Sequence, residues 1–426
     1  MSEREHDIAV IGAGMVGAAL ALACAASGWR VAVIEPSAPE QPSSDSEPDL
    51  RVSALSAGSE AWLRGLGVWP AMEGMRMAPF LRLAVWEAAS GPLASMPGGR
   101  LLAQQARTEF DAARLGRDHL GHIVENRVTR WALWERMGQQ SGITRFCPAS
   151  LKALDQTEDG VTLTLENGET LHVALVVGAD GASSVTRRLA GIGTSRTQYR
   201  QQAMVINIRH APPPQTITWQ MFTPQGPRAY LPLPEADGSA WGSLVWYDQP
   251  ENLDELMAMD ENRLLAAIRR AFPLELPDPE AAPARGRFPI AREHAHQYAH
   301  GRVVLVGDAA HTINPLAGQG VNLGFQDAAA LVRVLGTASA QTDPGKAEVL
   351  AAYEAERRPR NRLMMDAMDL FYHLFSNTAP PLHLARTLRL GLAGRVPFAR
   401  ERVTRYAMGI DEQLPAPLES LLKRLA

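Results

Sequence analysis

The chain has 426 residues, of which 46% are hydrophobic, and a formal net charge of −4. This is enough for one large or two ordinary domains with a complete core, and the small net charge excludes a global field for binding nucleic acid. The two cysteines, Cys24 and Cys147, lie far apart and outside any zinc motif, so they predict neither a metal site nor a disulfide framework and fit a reducing compartment.

The N-terminal segment carries a pattern typical of a dinucleotide-binding βαβ unit. Buried strands are predicted over 8–11 and 30–34, with an alanine-rich helix between them. The loop before the helix has the spacing Gly-x-Gly-x-x-Gly, formed by Gly12, Gly14 and Gly17. The second strand ends at Glu35, in the place of the acid that binds a ribose 2′-hydroxyl. Because that carboxylate would repel a 2′-phosphate, the segment predicts a site for FAD or NAD rather than NADP.

The apolar run over 8–26 could also indicate a signal peptide or a membrane span, since it is close to about 20 residues long. However, Glu3, Glu5 and Asp7 precede it, where a signal peptide carries basic residues. Three glycines would also weaken a spanning helix. We therefore interpret the run as the βαβ unit, which leaves no export signal and predicts a cytoplasmic protein.

The region that follows predicts further elements of the same domain. Residues 36–49 are rich in proline, serine and acids and indicate a surface loop. The next predicted elements are a helix over 57–66, a helix over 125–138, a hairpin of 161–165 and 170–173 through an Asn-Gly turn, and a strand over 175–177. That last strand runs into Asp180 and Gly181, a second candidate nucleotide-binding turn.

From about residue 196 to residue 285 the pattern changes to short β-prone runs bounded by proline and glycine. The runs cover 216–222, 228–233 and 240–247, and they are dense in aromatic residues, namely Trp219, Phe222, Tyr230, Trp241, Trp246 and Tyr247. We interpret them as an antiparallel sheet inserted into the nucleotide domain, with a helical stretch over 252–272 after it. The aromatic residues either form a second hydrophobic core or line a pocket for a flat apolar ligand.

A second nucleotide motif follows the inserted sheet. An apolar strand over 303–306 runs into Gly307 and Asp308, and a loop then leads into an amphipathic helix. That loop contains Pro315, Gly318 and Gly320. Glycines before a helix allow backbone N–H groups to approach an anion, and the helix N-terminus adds partial positive charge. Asp308 is placed to accept hydrogen bonds from sugar or ribitol hydroxyls, and the chain is predicted to be helical from about residue 347.

Three nucleotide-type elements in one chain favour FAD, which needs contacts for its AMP half, its pyrophosphate and its ring. No second complete Gly-x-Gly-x-x-Gly is present, so no separate nicotinamide domain is predicted. The predicted fold class is mixed α/β: a discontinuous Rossmann-like FAD-binding domain with an inserted antiparallel β-sheet substrate domain and C-terminal helices. The predicted segments are 1–195 and 286–370 for the FAD-binding domain, 196–285 for the sheet domain and 371–426 for the C-terminal helices.

These motifs resemble the single-component flavoprotein aromatic hydroxylases, whose archetype is p-hydroxybenzoate hydroxylase. Within that group, Gly-Asp-Ala-Ala-His-Thr-Ile-Asn-Pro-Leu-Ala-Gly-Gln-Gly-Val-Asn-Leu-Gly at 307–324 resembles the ubiquinone-biosynthesis hydroxylases. Stretches 218–233, 244–248 and 368–372 are most similar to the UbiF type, which hydroxylates 2-polyprenyl-3-methyl-6-methoxy-1,4-benzoquinol. Stretches 120–126 and 323–328 look nearer to the sibling that hydroxylates C5 of a polyprenylphenol. We favour the UbiF type and keep the sibling as the alternative.

The resemblance implies a cycle in which NAD(P)H reduces FAD and O₂ forms a C4a-hydroperoxyflavin that oxidises an electron-rich ring. In the nucleotide half, the resemblance implies contacts of Gly12, Gly14 and Gly17 with the pyrophosphate and of Glu35 with the adenosine ribose. Asp180 and Gly181 would serve both FAD and NAD(P)H, and Arg51 would lie near the flavin phosphates and ring. In the flavin half, Glu125 would contact the flavin, Asp308 the ribitol, and Gly318 and Gly320 the ring and phosphate, with Gly307 and Asn322 beside them. Pro315 would place a carbonyl near the substrate hydroxyl. His311 is either a catalytic base or a packed, hydrogen-bonding residue. No catalytic triad or metal cage is predicted.

The C-terminal segment 379–408 predicts a basic amphipathic helix. Its arginines are Arg386, Arg389, Arg395, Arg400, Arg402 and Arg405, with leucines between them and Glu401 as the one acid. Such a helix suits an anionic membrane surface or a partner protein, although it also fits a solvated helix packed on the core. Because a polyprenylated substrate lies in the bilayer, we expect peripheral contact with the inner face of the membrane or with a ubiquinone-biosynthesis complex.

The residues leave three other functions open. An NAD-dependent dehydrogenase would lack flavin absorbance, and a non-catalytic flavin-fold subunit of the biosynthetic complex would bind FAD without substrate-stimulated NAD(P)H oxidation. A hydroxylase for a soluble aromatic acid would need a cationic anchor in its pocket, for which Arg228 is the candidate.

Overall fold

The structure is a computed structural model, and it describes residues 5–43, 46–88, 107–236, 238–314, 318, 320–338 and 343–375. Its strands in chain order are β1 Ile8–Ile11, β2 Val31–Ile34, β3 Val52–Ser56, β4 Ala78–Phe80, β5 Arg82–Glu87, β6 Thr108–Asp111, β7 Gly121–Glu125, β8 Ile143–Phe146, β9 Leu151–Gln156, β10 Val161–Leu165, β11 Thr170–Val173, β12 Leu175–Gly178, β13 Thr194–His210, β14 Ile217–Phe222, β15 Arg228–Ala236, β16 Ser239–Asp248, β17 Pro279–Ala295, β18 Ala299–His300, β19 Val303–Leu305 and β20 His311–Thr312. Its α-helices are α1 Met15–Ala26, α2 Ala57–Gly65, α3 Trp69–Glu73, α4 Asn126–Gly138, α5 Val185–Leu189, α6 Pro250–Ala258, α7 Glu261–Ala271, α8 Gly320–Leu335 and α9 Ala347–Phe375. None of these helices is both long and apolar enough to cross a membrane.

The first sheet has six strands in the order β18-β19-β12-β1-β2-β8. All neighbours in it are parallel except β18 and β19, and β1, β2 and β12 are buried along their whole length. Strand β19 pairs directly with β12, although the whole inserted sheet separates them in the sequence. The prediction of a discontinuous nucleotide domain in a mixed α/β fold is therefore confirmed, while its boundaries at 195/196 and 285/286 stay a prediction.

The predicted βαβ unit forms from β1, α1 and β2. Helix α1 consists mainly of small and aliphatic residues, nearly all of them buried between the sheet, α4 and α8. The chain leaves this helix through Gly28, whose φ of +89° lies in the left-handed region that glycine adopts without strain. The unit therefore places the helix N-terminus at the carboxyl ends of β1 and β2.

The second sheet has eight strands in the order β20-β17-β13-β16-β15-β14-β5-β6. It is antiparallel except where β14 and β5 run parallel. Helices α6 and α7 cover one face of this sheet. The helical stretch predicted over 252–272 is in fact two helices, because the chain turns at Met259 and the Asp260 side chain caps α7 by accepting a hydrogen bond from the backbone N–H of Arg263 at 2.9 Å.

Several elements of the larger sheet lie outside the stretch predicted to form it. Strands β5 and β6 come from residues 82–111, long before the insertion, and β20 comes after it. Strands β13 and β17 each extend over 17 residues and carry the sheet back toward the nucleotide domain. The two domains therefore share continuous strands rather than a hinge.

Candidate functional site

The glycine loop after β1 shows why each glycine is needed. A Cβ atom on Gly12, whose φ is +96°, would lie 2.7 Å from the carbonyl oxygen of Ala179, and one on Gly17 would lie 2.0 Å from the oxygen of Gly12. Those two glycines therefore permit close packing between the loop, α1 and the neighbouring strand. A Cβ on Gly14 would meet nothing within 4 Å, although Gly14 caps the N-terminus of α1. Gly14 thus borders open space where backbone N–H groups and the helix dipole favour an anion.

Glu35 lies at the end of β2 and faces this glycine loop. It is only 6% exposed, and its Oε2 accepts a hydrogen bond from the backbone N–H of Ala13 at 2.6 Å. Its Oε1 accepts from Arg130 at 2.8 Å and from the backbone N–H of Ser37 at 3.2 Å. The carboxylate is therefore held in place beside the site where an adenosine ribose is expected.

The three nucleotide motifs meet at one edge of the six-stranded sheet. Each follows the carboxyl end of a parallel strand: the glycine loop follows β1, Asp180 follows β12, and Gly307 follows β19. A Cβ on Gly12 would lie 3.0 Å from the Cα of Asp180, and one on Gly307 would lie 3.4 Å from the side chain of Val16 in α1. The carboxyl edge of a parallel sheet is where such folds bind nucleotides. The expected convergence of distant motifs is therefore present.

Asp308 is exposed to solvent in a short 3₁₀ turn, yet protein atoms surround it closely. This crowding raises the pKa of the Asp308 carboxyl above its usual value, although the nearby His311 ring opposes the rise. A carboxylate that is accessible to solvent but closely surrounded by protein is expected in a deep cleft. Asp308 is thus free to accept hydrogen bonds from ligand hydroxyls.

Asp180 stabilises its own turn. Its carboxylate accepts hydrogen bonds from the Ser184 hydroxyl at 2.5 Å and from the backbone N–H and hydroxyl of Thr186 at 2.9 and 3.0 Å. Gly181 follows with a φ of +77°. The buried Arg187 donates to the carbonyl oxygens of Ala182 and Ala309, so it ties this turn to the Gly307 turn. Direct contact of Asp180 and Gly181 with a coenzyme stays a prediction.

Gly318 and Asn322, at the start of α8, pack on β3. Gly318 has a φ of +60°, and a Cβ on it would lie 3.4 Å from the side chain of Ala54. The buried Asn322 side chain donates to the carbonyl oxygen of Ala54 at 2.9 Å and accepts from the backbone N–H of Ser56 at 3.0 Å. A Cβ on Gly320, the first residue of α8, would meet none of the described residues within 4 Å, so they leave space at this helix N-terminus as well.

Contact of Arg51, Glu125 and Pro315 with a coenzyme stays a prediction, as it does for the other candidate residues. Arg51 is exposed immediately before β3. Glu125 is fully buried, and its carboxylate accepts hydrogen bonds from Arg76 and Arg127 and from the backbone of Asp49. Pro315 lies outside the described residues.

His311 is 1% exposed, and its Nε2 lies 2.5 Å from an oxygen of Asp327. This matches its description as a packed, hydrogen-bonding residue, whereas a role as catalytic base is not tested. The same Asp327 oxygen accepts from the backbone N–H of Gly307 at 3.1 Å, and the other accepts from Arg357 and Asn361, both at 2.8 Å.

Asp327 was missed by the sequence analysis. It has no solvent exposure, and burial would raise its pKa, but His311 and Arg357 outweigh that effect and hold the pKa of the carboxyl well below its usual range. The sequence did contain one indication of its role, because Asp327 is an acid on the apolar face of the predicted amphipathic helix. Asp327 therefore acts as a charged support for the Gly307 turn.

These observations fit FAD. At Gly14 and Gly320, two helix N-termini border space that the described residues leave open, and the accessible carboxylate of Asp308 lies on the turn that contacts the first of these helices. Such a set matches one long ligand with a central diphosphate and a polyhydroxyl chain.

His294 lies on β17 opposite His311, and we expect it to make the stability of the protein sensitive to acid. Burial and, next, the His311 ring lower the pKa of His294 to about 4. An unfolded chain binds that proton near pH 6.5, so the contribution of His294 to stability is complete above pH 6.5 and is lost as the pH falls toward 4. We expect it to reduce the free energy of unfolding by up to about 1.4 kcal/mol per pH unit in that window.

Urea unfolding of the holoenzyme between pH 4.5 and 7 measures this slope. The His294→Gln variant should show a shallower pH dependence, whereas His300→Gln, at an exposed histidine, should keep that of the parent chain. Equal slopes for the parent and His294→Gln would contradict the assignment.

Comparisons with known proteins are consistent with this geometry. The model of the FAD binding domain family matches residues 5–368. The chain is 43% identical over 413 residues to the 3-demethoxyubiquinol 3-hydroxylase of Escherichia coli (strain K12), covering 96% of this chain and 100% of that protein. It is 34% identical over 417 residues to ubiquinone hydroxylase UbiL of Rhodospirillum rubrum, covering 98% and 92%. Among solved structures, PqsL, a probable FAD-dependent monooxygenase from Pseudomonas aeruginosa, matches with a TM-score of 0.73 at 22% identity, covering 90% and 99%.

Proposed function

The chain belongs to the FAD-dependent hydroxylase family of ubiquinone biosynthesis, and from this premise we propose that it hydroxylates the ring of a polyprenylated demethoxyubiquinol, 2-polyprenyl-3-methyl-6-methoxy-1,4-benzoquinol. The predictions of family, FAD cofactor and enzyme activity are confirmed. The two other interpretations, an NAD-dependent dehydrogenase and a non-catalytic subunit, are therefore set aside in favour of an FAD-dependent monooxygenase that uses O₂.

The observation that carries the choice of substrate is the 43% identity to a 3-demethoxyubiquinol 3-hydroxylase over the full length of that relative. Identity at this level includes the inserted sheet domain, where a substrate pocket is expected, as well as the nucleotide motifs. The polyprenylphenol C5 hydroxylase stays the alternative, because both substrates are neutral, prenylated, electron-rich rings.

When bound, FAD supplies the redox chemistry with NAD(P)H and O₂. The residues of this chain hold and shield it. The glycine loop leaves room for a diphosphate at the N-terminus of α1, and Asp308 offers a carboxylate to its hydroxyls. Asp327 fixes the backbone of Gly307 and so the position of Asp308. No proton-transfer residue is required at the ring in this proposal; Pro315 would place its backbone carbonyl near the substrate hydroxyl, and His311 is the candidate base.

The inserted sheet separates its aromatic residues between two faces, because successive residues of a strand point to opposite sides. Trp219 and Trp246 lie on the face that packs against α6 and α7. Phe222 and Tyr247 lie on the other face, in a cluster with Tyr199, Ile290 and Tyr372. The Tyr247 hydroxyl donates to Asn314 at 3.4 Å, so this second face adjoins the residue before Pro315. We infer that this second face forms the wall of the substrate pocket.

The pair Phe222 and Trp219 tests this assignment. We expect Phe222→Ala to raise the KM for a short-chain demethoxyubiquinol about tenfold, because it removes apolar contact with the ring or tail. Trp219→Ala should leave that KM unchanged but reduce the free energy of unfolding by about 3–5 kcal/mol, because it empties the core under α6 and α7. Urea unfolding should show a loss of stability in both variants, because Phe222 is also only 5% exposed, so the KM from steady-state kinetics is the quantity that distinguishes them. A KM that changes only in Trp219→Ala would contradict the assignment.

Arg228 does not offer a free cation to a soluble aromatic acid. Its guanidinium is 4% exposed and pairs with Asp248 at 3.1 Å, and it also donates to the carbonyl oxygens of Gly226 and Tyr247. It further stacks on Trp246, with 4.6 Å between the guanidinium carbon and the ring centroid. On the face that carries Phe222, the aromatic and aliphatic cluster adjoins Arg292, whose charge is paired with Asp366 and Asp369, and this favours a neutral substrate.

Complementation tests the proposal directly. We expect this gene to restore ubiquinone, measured by mass spectrometry, in an Escherichia coli strain that lacks its 3-demethoxyubiquinol 3-hydroxylase. The Gly14→Ala variant should leave the demethoxy intermediate in place. Restoration of a strain that lacks the polyprenylphenol C5 hydroxylase, in place of the first strain, would favour the alternative. Failure in both strains with normal expression and bound FAD would overturn the proposed substrate class.

The basic segment 379–408 lies outside the described residues, and its proposed role is to hold the enzyme at the membrane or in a biosynthetic complex. Its six arginines against one acid support contact with anionic lipid. Co-sedimentation of the full chain with anionic vesicles should fall when these arginines are replaced by glutamine. Equal binding by both forms would dismiss the role.

A further inference from the structure

A cluster of metal-ligating side chains lies between α2 and β7, and none of its members is among the candidate cofactor contacts. Glu60 on α2, His119 before β7 and His122 within β7 place one ligand atom each within 4.8 Å of one another. The Glu60 Oε2 lies 2.7 Å from Nε2 of His119 and 3.3 Å from Nδ1 of His122. Ligand atoms around a tetrahedral ion at about 2.0–2.1 Å lie about 3.3 Å apart. The 3.3 Å separation matches that of a coordination sphere, while the 2.7 Å separation is that of the hydrogen bond between His119 and Glu60, which an ion would lengthen.

The internal hydrogen bonds of the cluster leave His122 unsatisfied. Its side chain is about 10% exposed, and its Nδ1 has no hydrogen-bond partner among the residues that the structure describes. Polar atoms buried in this way normally have a partner. The Nδ1 atom points toward Glu60 without the geometry of a hydrogen bond, so a cation between them would satisfy both.

The two carboxylate oxygens of Glu60 have different partners. Its Oε1 accepts a hydrogen bond from Arg64 at 2.9 Å, while Oε2 is the atom that faces both histidines. Arg64 itself stacks on Trp69, with 5.0 Å between the guanidinium carbon and the ring centroid, and is bound to Glu73. The carboxylate is thus oriented by Arg64, and its Oε2 hydrogen-bonds Nε2 of His119 at 2.7 Å, a contact that an ion bound between the three side chains would replace.

We propose that Glu60, His119 and His122 form a binding site for one divalent transition ion of the Zn²⁺ type. Two imidazoles and a carboxylate suit borderline ions such as Zn²⁺, Ni²⁺ and Co²⁺ rather than Mg²⁺ or Ca²⁺, which prefer oxygen ligands. The His119 side chain is 25% exposed, which gives the ion a path from solvent and leaves a position for water.

The ion would join α2 to β7. Strand β7 ends at Glu125 and pairs with β3, which begins after Arg51 and leads directly into α2. The site therefore closes a loop around the segment that packs against the Gly318 turn. Ion binding should stabilise this wall of the coenzyme domain without contributing a group to the reaction.

Zinc binding to the holoenzyme tests the site. The full chain, prepared without a polyhistidine tag and freed of metal with EDTA, is titrated with ZnCl₂ by calorimetry. We expect one ion per chain, and we expect the thermal midpoint to rise with added Zn²⁺ because the ion binds the folded state. His119→Ala should weaken the binding at least about tenfold and abolish the rise in midpoint.

Two further variants separate the site from adventitious binding. His172→Ala, at an exposed histidine whose ring contacts Thr162, should bind Zn²⁺ as the parent chain does. Glu60→Gln keeps the shape of the side chain but removes its charge, and it should bind as weakly as His119→Ala. Equal zinc affinity in the parent, His119→Ala and Glu60→Gln would overturn the proposal, as would the absence of any one-to-one binding.

Discussion

Gly14→Ala should yield a folded protein that has lost its FAD. The backbone at Gly14 is extended, with φ of −65° and ψ of −178°, so alanine adopts it without strain. The added methyl group meets no atom of the described residues within 4 Å, and its cost therefore falls on the ligand that occupies this space. We expect FAD affinity to fall about 100-fold, equivalent to about 2.8 kcal/mol, because the methyl group displaces the diphosphate from the backbone N–H groups.

The measurement is the dissociation constant of FAD, from the change in flavin fluorescence, with circular dichroism as a check on the fold. Gly65→Ala is the matched control, since a Cβ at Gly65 also meets nothing within 4 Å but lies at the end of α2. It should bind FAD as the parent chain does. Gly17→Ala should behave differently from both, because its methyl group would lie 2.0 Å from a backbone oxygen and disrupt the βα unit itself. Unchanged FAD affinity in Gly14→Ala would mean that the coenzyme diphosphate lies elsewhere.

The features predicted correctly from the sequence are those encoded by neighbouring residues. The glycine spacing at Gly12–Gly17 requires a tight turn into a helix, and the Asn-Gly turn forms its hairpin with Gly168 at a φ of +86°. The strand before Gly307 is apolar throughout and so can only be buried. In each case the local sequence permits few other conformations.

The features missed depend on contacts between distant residues. Strand β5 joins the inserted sheet by pairing with β14, more than 130 positions later, and nothing in its own sequence specifies that partner. The same holds for Glu60, His119 and His122, which come together only because α2 packs beside β7. Side chains at such positions reveal their roles only when the fold is known.

Asp327 is the strongest example of a distant contact, and its substitution should have the largest effect on stability. The carboxylate is fully buried and accepts hydrogen bonds from Arg357, Asn361, His311 and the backbone of Gly307. Asp327→Asn leaves the guanidinium of Arg357, itself 3% exposed, without its counter-charge. Removing one partner of a buried ion pair costs about 3–5 kcal/mol, and we expect a loss of that size in the free energy of unfolding.

The coenzyme site should respond to the same substitution. Because Asp327 fixes the backbone N–H of Gly307, Asp327→Asn should also weaken FAD binding, which separates it from an ordinary core defect such as Trp219→Ala. Asp278→Asn is the control: Asp278 pairs with Arg269 on the surface, and its loss should cost less than about 1 kcal/mol. Urea unfolding and FAD titration of the three variants give both quantities.

The depressed pKa of Asp327 adds a dependence on pH that distinguishes a charged support from a merely polar one. A carboxyl whose pKa is lower in the folded chain stabilises the fold above its unfolded pKa, about 3.9, and loses that contribution as the pH falls further. The parent chain should therefore lose stability steeply below pH 4, whereas Asp327→Asn, already without the charge, should lose less over the same range. The difference in free energy of unfolding between the two proteins could instead stay constant from pH 5 to pH 3. In that case Asp327 supports the Gly307 turn through its hydrogen bonds alone, and the ion pair with Arg357 does not hold the coenzyme edge of the sheet in place.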